Sequence, residues 1–332
     1  MKVGIYVLTK EAKQTYANEC YDVRINAGMA VVRDILERAG ITDIGYCGKA
    51  DVQSYDVIMY SVTSDCDWWT FIAERSTWKP GKYKVVVGGS GVLNVRPFLQ
   101  WCDYFCLGRA EGVMDKLLIA LRDHGEYDGD EHVIRSDTFS LDKIYRISQV
   151  DEIYPHDILL PNGDTYHEDT IGCNHKCLFC GYTWHRKHSE EGAFEYSGLW
   201  NGGADRERAI IDLFDGVEVD FNKLRTTAID GLSERLRNMV GKRISREMLV
   251  EFLTQLASCE KPHQIKFYNI IGYPSETEDD WMEFVEDIQF ADSKLKKTDK
   301  QTSILLHSTP FRPMPATPMA CAPASYRNYR GE

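Results

Sequence analysis

Three cysteines, Cys173, Cys177 and Cys180, are separated by three and then two residues in the run Cys173-Asn174-His175-Lys176-Cys177-Leu178-Phe179-Cys180. Three thiolates on one tight loop can each hold one iron of a cubane cluster, and the fourth iron is then left without a protein ligand. An open position on a bound metal is where a substrate or cofactor coordinates. A zinc site would need a fourth ligand, which His185 or His188 could supply. Three cysteines buried for packing alone is the plainest alternative.

With an aromatic residue, Phe179, just before the third cysteine, the stretch resembles the signature of the radical SAM superfamily. The resemblance implies a 4Fe-4S cluster held by Cys173, Cys177 and Cys180, with S-adenosylmethionine on the open iron. One electron, from a donor such as flavodoxin or ferredoxin, would cleave that cofactor to methionine and a 5'-deoxyadenosyl radical. The protein's part in such chemistry is mainly orientation and exclusion of solvent.

The loop must be delivered by the elements before it. Residues 158–165 carry a hairpin signal, because Asn162-Gly163 suits the positive φ angles of a tight turn. The returning strand runs into the cysteines. Residues 181–188 follow, the most basic and aromatic stretch of an acidic chain, read as a phosphate- or base-binding loop or as a solvated tip with one anchored Trp.

Further on, residues 204–214 read as a helix, 217–221 as a strand and 224–229 as an extended run. Asp230-Gly231-Leu232-Ser233 then resembles the family's acidic turn, which implies that Asp230 and Ser233 contact the cofactor's ribose and carboxylate. Ser233 is also a sound helix N-cap. Residues 264–274 form a β-run ending in Gly272-Tyr273-Pro274, similar to the family's fifth barrel strand. There the backbone of Ile271 and Gly272 would lie against the adenine. Ser275 and Glu278 have capping-box spacing ahead of a helix with Trp281, Phe284, Val285 and Ile288 on one face. Residues 294–297 read as a solvated linker and 302–307 as a last strand, and residues 310–319 look like the proline-rich exit of the same family. The family's Gly-Gly-Glu turn is approximated only by Gly202-Gly203-Ala204-Asp205.

The first part of the chain alternates apolar strands, at 2–8, 41–47, 56–62, 83–87 and 104–107, with helices. One helix carries Ile25, Met29, Val32, Ile35 and Leu36 on a face and stops at Gly40, and another spans 113–121. Such strands read as a doubly wound parallel sheet. The turns Gly88-Gly89-Ser90-Gly91 and Gly108-Arg109-Ala110-Glu111 resemble those of the cobalamin-binding-type domain in one radical SAM branch. Cobalamin is therefore a candidate cofactor, although the first His of the chain, His124, comes too late to be the usual lower ligand. The Gly-Gly loop reads equally as a plain backbone turn. Cys20, Cys47, Cys66, Cys102 and Cys106 read as small buried hydrophobes, or as a second cluster like that of methylthiotransferases.

The expected organisation is α/β: a cobalamin-binding-like parallel sheet in residues 1–124, a linker in 125–157 and a partial (β/α)6 radical SAM barrel in 158–332. A formal charge of -12 disfavours a whole-surface grip on duplex nucleic acid. The chain starts on a strand without a leader and has no apolar run of membrane-spanning length, so the expected setting is the cytoplasm, that of a host cell if phage-encoded. Only Cys321 lies beyond the last strand, which speaks against relatives with C-terminal cysteine arrays, and no RNA-binding barrel follows as in methylthiotransferases. The expected reaction is hydrogen abstraction followed by isomerisation or rearrangement of a small or nucleotide-borne substrate. The compact chain also looks like isomerases of phage thymidine hypermodification, which implies a modified DNA base as a substrate. Cobalamin-dependent methyl transfer and a non-enzymatic zinc or cluster module are the alternatives.

Overall fold

The structure, a computed structural model, describes residues 1–6, 21–63, 67–150, 152–159, 165–168, 170–173, 175–187, 189–190, 208–259, 263–295 and 302–323. Cys20, Cys66, the Asn162-Gly163 turn, His188 and the 202–205 segment lie outside them. The chain divides into two compact units, Met1–Gly172 with His185–Ser189, and Cys173–Trp184 with Glu190–Glu332.

The first unit is an α/β sheet of β1 (Val3–Tyr6), β2 (Ile44–Cys47), β3 (Val57–Ser61), β4 (Lys84–Gly88), β5 (Tyr104–Cys106) and β6 (Val133–Arg135). Its order is β2-β1-β3-β4-β5-β6. The first five strands are parallel and β6 is antiparallel to β5. Among the described residues three α-helices belong to it: α1 (Tyr21–Arg38), α2 (Asp67–Arg75) and α3 (Met114–His124). Alternate side chains enter two cores: Val57 and Met59 of β3 join Leu36 and Leu117, while Ile58 and Tyr60 join Trp68 and Phe71. Both faces are thus filled, as a parallel sheet requires. Helix α2 was not anticipated, and β6 is a paired strand inside the stretch expected as a linker with some extended structure.

A short antiparallel pair follows, β7 (Ile158–Leu159) with β8 (Thr165–Tyr166), flanking the expected turn. Next, β9 (Thr170–Ile171) pairs with β10 (Ser189–Glu190). Cys173 comes two residues after β9.

The second unit contains α4 (Gly181–Trp184), α5 (Ala209–Phe214), β11 (Thr226–Ala228), α6 (Glu234–Met239), α7 (Arg246–Ala257), β12 (Gln264–Ile271), α8 (Glu278–Leu295) and β13 (Ser303–Pro310). Strands β11, β12 and β13 form a parallel sheet in that order. Where a partial barrel was expected, the described residues form this three-stranded sheet. Ile265 and Phe267 of β12 are buried with Ile210, Phe252 and Phe284. Residues 217–221, expected as a strand, are irregular. Their alternation of apolar and acidic residues mimics a strand, but Asp220 turns the chain by accepting from the Asn222 N–H at 3.0 Å.

The cap of α8 also differs from expectation. Ser275 has a left-handed φ of 70° and is not the N-cap. Thr277 is, and the Asp280 carboxylate reaches back to its N–H at 2.8 Å. The box is Thr277 with Asp280.

Candidate metal centre

The cysteine loop is held by its own backbone and by the residues just after it. Cys180 N–H donates to the Cys177 carbonyl at 3.1 Å, and Lys176 takes a left-handed φ of 54° to make the turn. Thr183 Oγ1 donates to the Cys173 carbonyl at 2.6 Å and accepts from Lys176 N–H at 3.3 Å. The Trp184 indole donates to the Cys177 carbonyl at 2.9 Å. One Trp of the 181–188 stretch is therefore an anchor of the loop, as one of its two readings held.

The loop is then fixed to the end of α6 and to the segment after β13. Leu178 N–H donates to the Val240 carbonyl at 2.8 Å, and its own carbonyl accepts from Met319 N–H at 3.3 Å. The Phe179 ring packs on the unit's core with its centroid 6.2 Å from that of Tyr273. Tyr273, which follows Gly272 beyond the end of β12, donates its hydroxyl to the Asp230 carbonyl at 2.9 Å. Asp230 lies just past β11 in a left-handed conformation, φ 51°. Loops at the carboxyl ends of parallel strands are the usual place for a site.

The cation that matters most here, Lys242, has no motif in the sequence. It is buried, and its Nζ pairs with Asp230 Oδ2 at 2.8 Å. Burial pushes the Cys177 thiol up to about 11 while the Lys242 charge pulls the other way. Burial also raises Cys180, against hydrogen bonds from the Thr183 and Tyr182 backbone. His175 is pushed down to about 4 by burial and then by Arg208, Lys242 and Arg243. Lys242 is thus the cation that acts on a thiol of the loop, and burial outweighs it; a bound metal would have to favour the thiolates further.

Among the described residues no three Cys, His, Asp or Glu side chains converge on a point that would ligate one ion.

The other predicted residues are engaged within the chain. Ser233 caps α6, accepting from Leu236 N–H at 3.1 Å and donating to Asp280. The Ile271 carbonyl accepts from Phe311 N–H at 2.7 Å, and Gly272 N–H, at φ 77°, donates to Glu276 at 2.8 Å. Asp230, Gly272 and Phe179 therefore gather at the loop through Tyr273, while Ser233 supports the turn after Asp230 from below.

In the first unit, the residues assigned to cobalamin-type turns are used by the chain itself. A Cβ on Gly89 would stand 2.3 Å from the Val62 carbonyl oxygen, and one on Gly108 would stand 2.2 Å from that of Ser148. Both positions need glycine for close backbone approach. Arg109 is bonded to Glu168 at 2.7 and 2.6 Å and to Glu111. Cys47, Cys102 and Cys106 are buried core residues, and burial pushes Cys106 up to about 12. None of these observations requires a corrin.

No family model matches the chain, and no curated protein matches it. Among solved structures it is similar to apo, selenomethionine-labelled OxsB, a cobalamin-dependent S-adenosylmethionine radical enzyme, at 10% identity and a TM-score of 0.30, over 92% of this chain and 48% of that one. OxsB with aqua-cobalamin and S-adenosylmethionine bound gives 9% identity and a TM-score of 0.30, over 92% and 44%. The chain spans less than half the length of these proteins, and a TM-score of 0.30 does not establish a shared fold. No described helix is long and apolar enough to cross a membrane.

Proposed function

We propose that the chain is a radical S-adenosylmethionine enzyme whose 4Fe-4S cluster is held by Cys173, Cys177 and Cys180. The observation that carries this reading is the three-cysteine loop tied through Leu178 to Val240 and Met319 and packed through Phe179 on Tyr273 just past β12, with buried Lys242 acting on Cys177. When bound, the cluster and its cofactor supply a 5'-deoxyadenosyl radical that removes hydrogen from an unreactive carbon.

The chain's own residues have separate parts in that reading. Cys173, Cys177 and Cys180 bind the irons, and Thr183 and Trp184 orient the loop through the Cys173 and Cys177 carbonyls. Lys242 balances negative charge beside Cys177. Phe179 and Tyr273 exclude water on the core side, Tyr273 being 1% exposed. Asp230 and Gly272 shape the rim on which the cofactor rests, with Ser233 and Ile271 holding that rim in place. The overall reaction is an isomerisation or rearrangement of a small or nucleotide-borne substrate, a modified thymidine being one such case, driven by an electron from a flavodoxin or ferredoxin. No step is assigned to cobalamin.

The test is anaerobic reconstitution with iron and sulfide, followed by electron paramagnetic resonance of the reduced protein. The reading requires a 4Fe-4S signal that shifts when S-adenosylmethionine is added. Zinc bound without sulfide would overturn it.

A further inference from the structure

Parallel sheets are ordinarily covered on both faces. The sheet of the second unit is not covered in that way by described residues. Ile265 and Phe267 on β12 and Thr227 on β11 are fully buried. The alternate residues of β12, Lys266 and Tyr268, are half-buried, and Leu305 and His307 of β13 are exposed, Leu305 at 44%. Neither Tyr268 nor Leu305 joins the core.

This open face has its own chemistry. Register pairs Tyr268 with His307 and Lys266 with Leu305. The Tyr268 and His307 rings meet edge-on at 5.3 Å, and Lys266 Nζ lies 5.6 Å from the Tyr268 centroid. One aromatic ring is thus flanked by two groups able to carry positive charge, on a chain of formal charge -12. A ring beside cations suits a planar group joined to an anion.

The face also points along the chain toward the metal centre. From Tyr268, β12 runs on to Gly272, four residues later, and an extended strand covers about 13 Å over that interval. A ligand of nucleotide length can span it.

We infer that the face carrying Lys266, Tyr268 and His307 is the substrate platform of this centre and takes a substrate that joins a phosphate or carboxylate to a planar ring, as a nucleotide does. This rests on the radical reading above and names its substrate class. The rival occupant is the chain's own segment 191–207.

Calorimetry on the anaerobically reconstituted full chain tests it, with thymidine 5'-monophosphate, orotate, thymidine and inorganic phosphate as probes. The first probe stands for a phosphate on a ring and the second for a carboxylate on a ring. At least one of these two binds, and thymidine or phosphate alone binds at least about tenfold more weakly. Lys266→Gln and His307→Gln each weaken the binding about tenfold, and Lys266→Arg restores it. A maleimide labels Leu305→Cys, and the bound probe protects it, as read by peptide mass spectrometry. Equal binding of thymidine, insensitivity to both substitutions, or no binding to protein carrying its full iron would each overturn the platform and leave the metal centre standing. An unlabelled Leu305→Cys would show the face covered by the chain itself, and would also overturn it. Failure to take up iron is read separately, by iron analysis, and refutes the centre on which the platform depends.

Discussion

In the six-stranded sheet, successive residues of β3 both vanish into the core: Ile58 is 0% exposed and Met59 1%. In the three-stranded sheet, successive residues of β12 part company, with Phe267 buried and Tyr268 and Lys266 half-buried. The first sheet is finished by its own helices, and its turns are tied by glycines pressed against neighbouring backbone. Among the described residues the second is buried on one side and half-buried or exposed on the other, and it is this unit that carries the loop of Cys173, Cys177 and Cys180, buried Lys242 and a polar strand face. On the proposed reading, the chemistry falls in the unit whose described sheet is buried on one face.

The largest test of that contrast is Cys177→Ala, which should abolish iron uptake while circular dichroism still reports the folded first unit. Global unfolding would make the loop structural for the entire chain. A strand-by-strand comparison in urea comes next. Phe267→Ala should cost about 4 kcal/mol and Lys266→Ala under about 0.5 kcal/mol, whereas Ile58→Ala and Met59→Ala should each cost about 3 kcal/mol. A large loss at Lys266 would mean that the second sheet is covered after all. Gly108→Ala should destabilise the first unit by about 2 kcal/mol, because its φ is 89° and its Cβ would strike Ser148.

The smallest effect is the acid lability that Asp280 brings to the second unit. Burial works to raise Asp280, but Arg235, Ser233 and Thr277 outweigh it and hold the carboxyl down to about 2. The folded value lies below the unfolded one, so this stabilisation is complete above the unfolded pKa of about 4 and is lost as pH falls toward 2. Urea midpoints for the second unit should therefore drop between about pH 5 and pH 2.5, and Asp280→Asn should flatten that drop. An unchanged slope in the variant would remove Asp280 from the account.

What was legible in the sequence follows from how local each signal is. The strands of the first unit were visible because their Val and Ile runs are continuous, and β12 because it is long and apolar. Helix α2 was not read, since Trp68, Trp69 and Phe71 crowd one short segment without a clear period. β6 was hidden because Val133 and Ile134 stand among charges. Residues 217–221 misled because alternation without strand partners is only a pattern. The Ser275 cap gave way to Thr277 through a left-handed turn that spacing alone does not reveal. At the site, the three cysteines and Phe179 were readable from spacing. Lys242 was not, because its pairing with Asp230 exists only after β11 and α6 have folded. Thr183 and Trp184 could have been suspected from their nearness to Cys180, but their hydrogen bonds to the loop carbonyls could not.

The most direct test of the central claim is the cofactor's fate. The reconstituted protein, reduced by dithionite under anaerobic conditions and given S-adenosylmethionine, should release 5'-deoxyadenosine detectable by mass spectrometry, and Cys173→Ala should release none. Equal amounts from the two proteins, or none from a wild-type chain with its cluster intact and thymidine 5'-monophosphate and orotate supplied, would contradict the radical chemistry assigned to this loop.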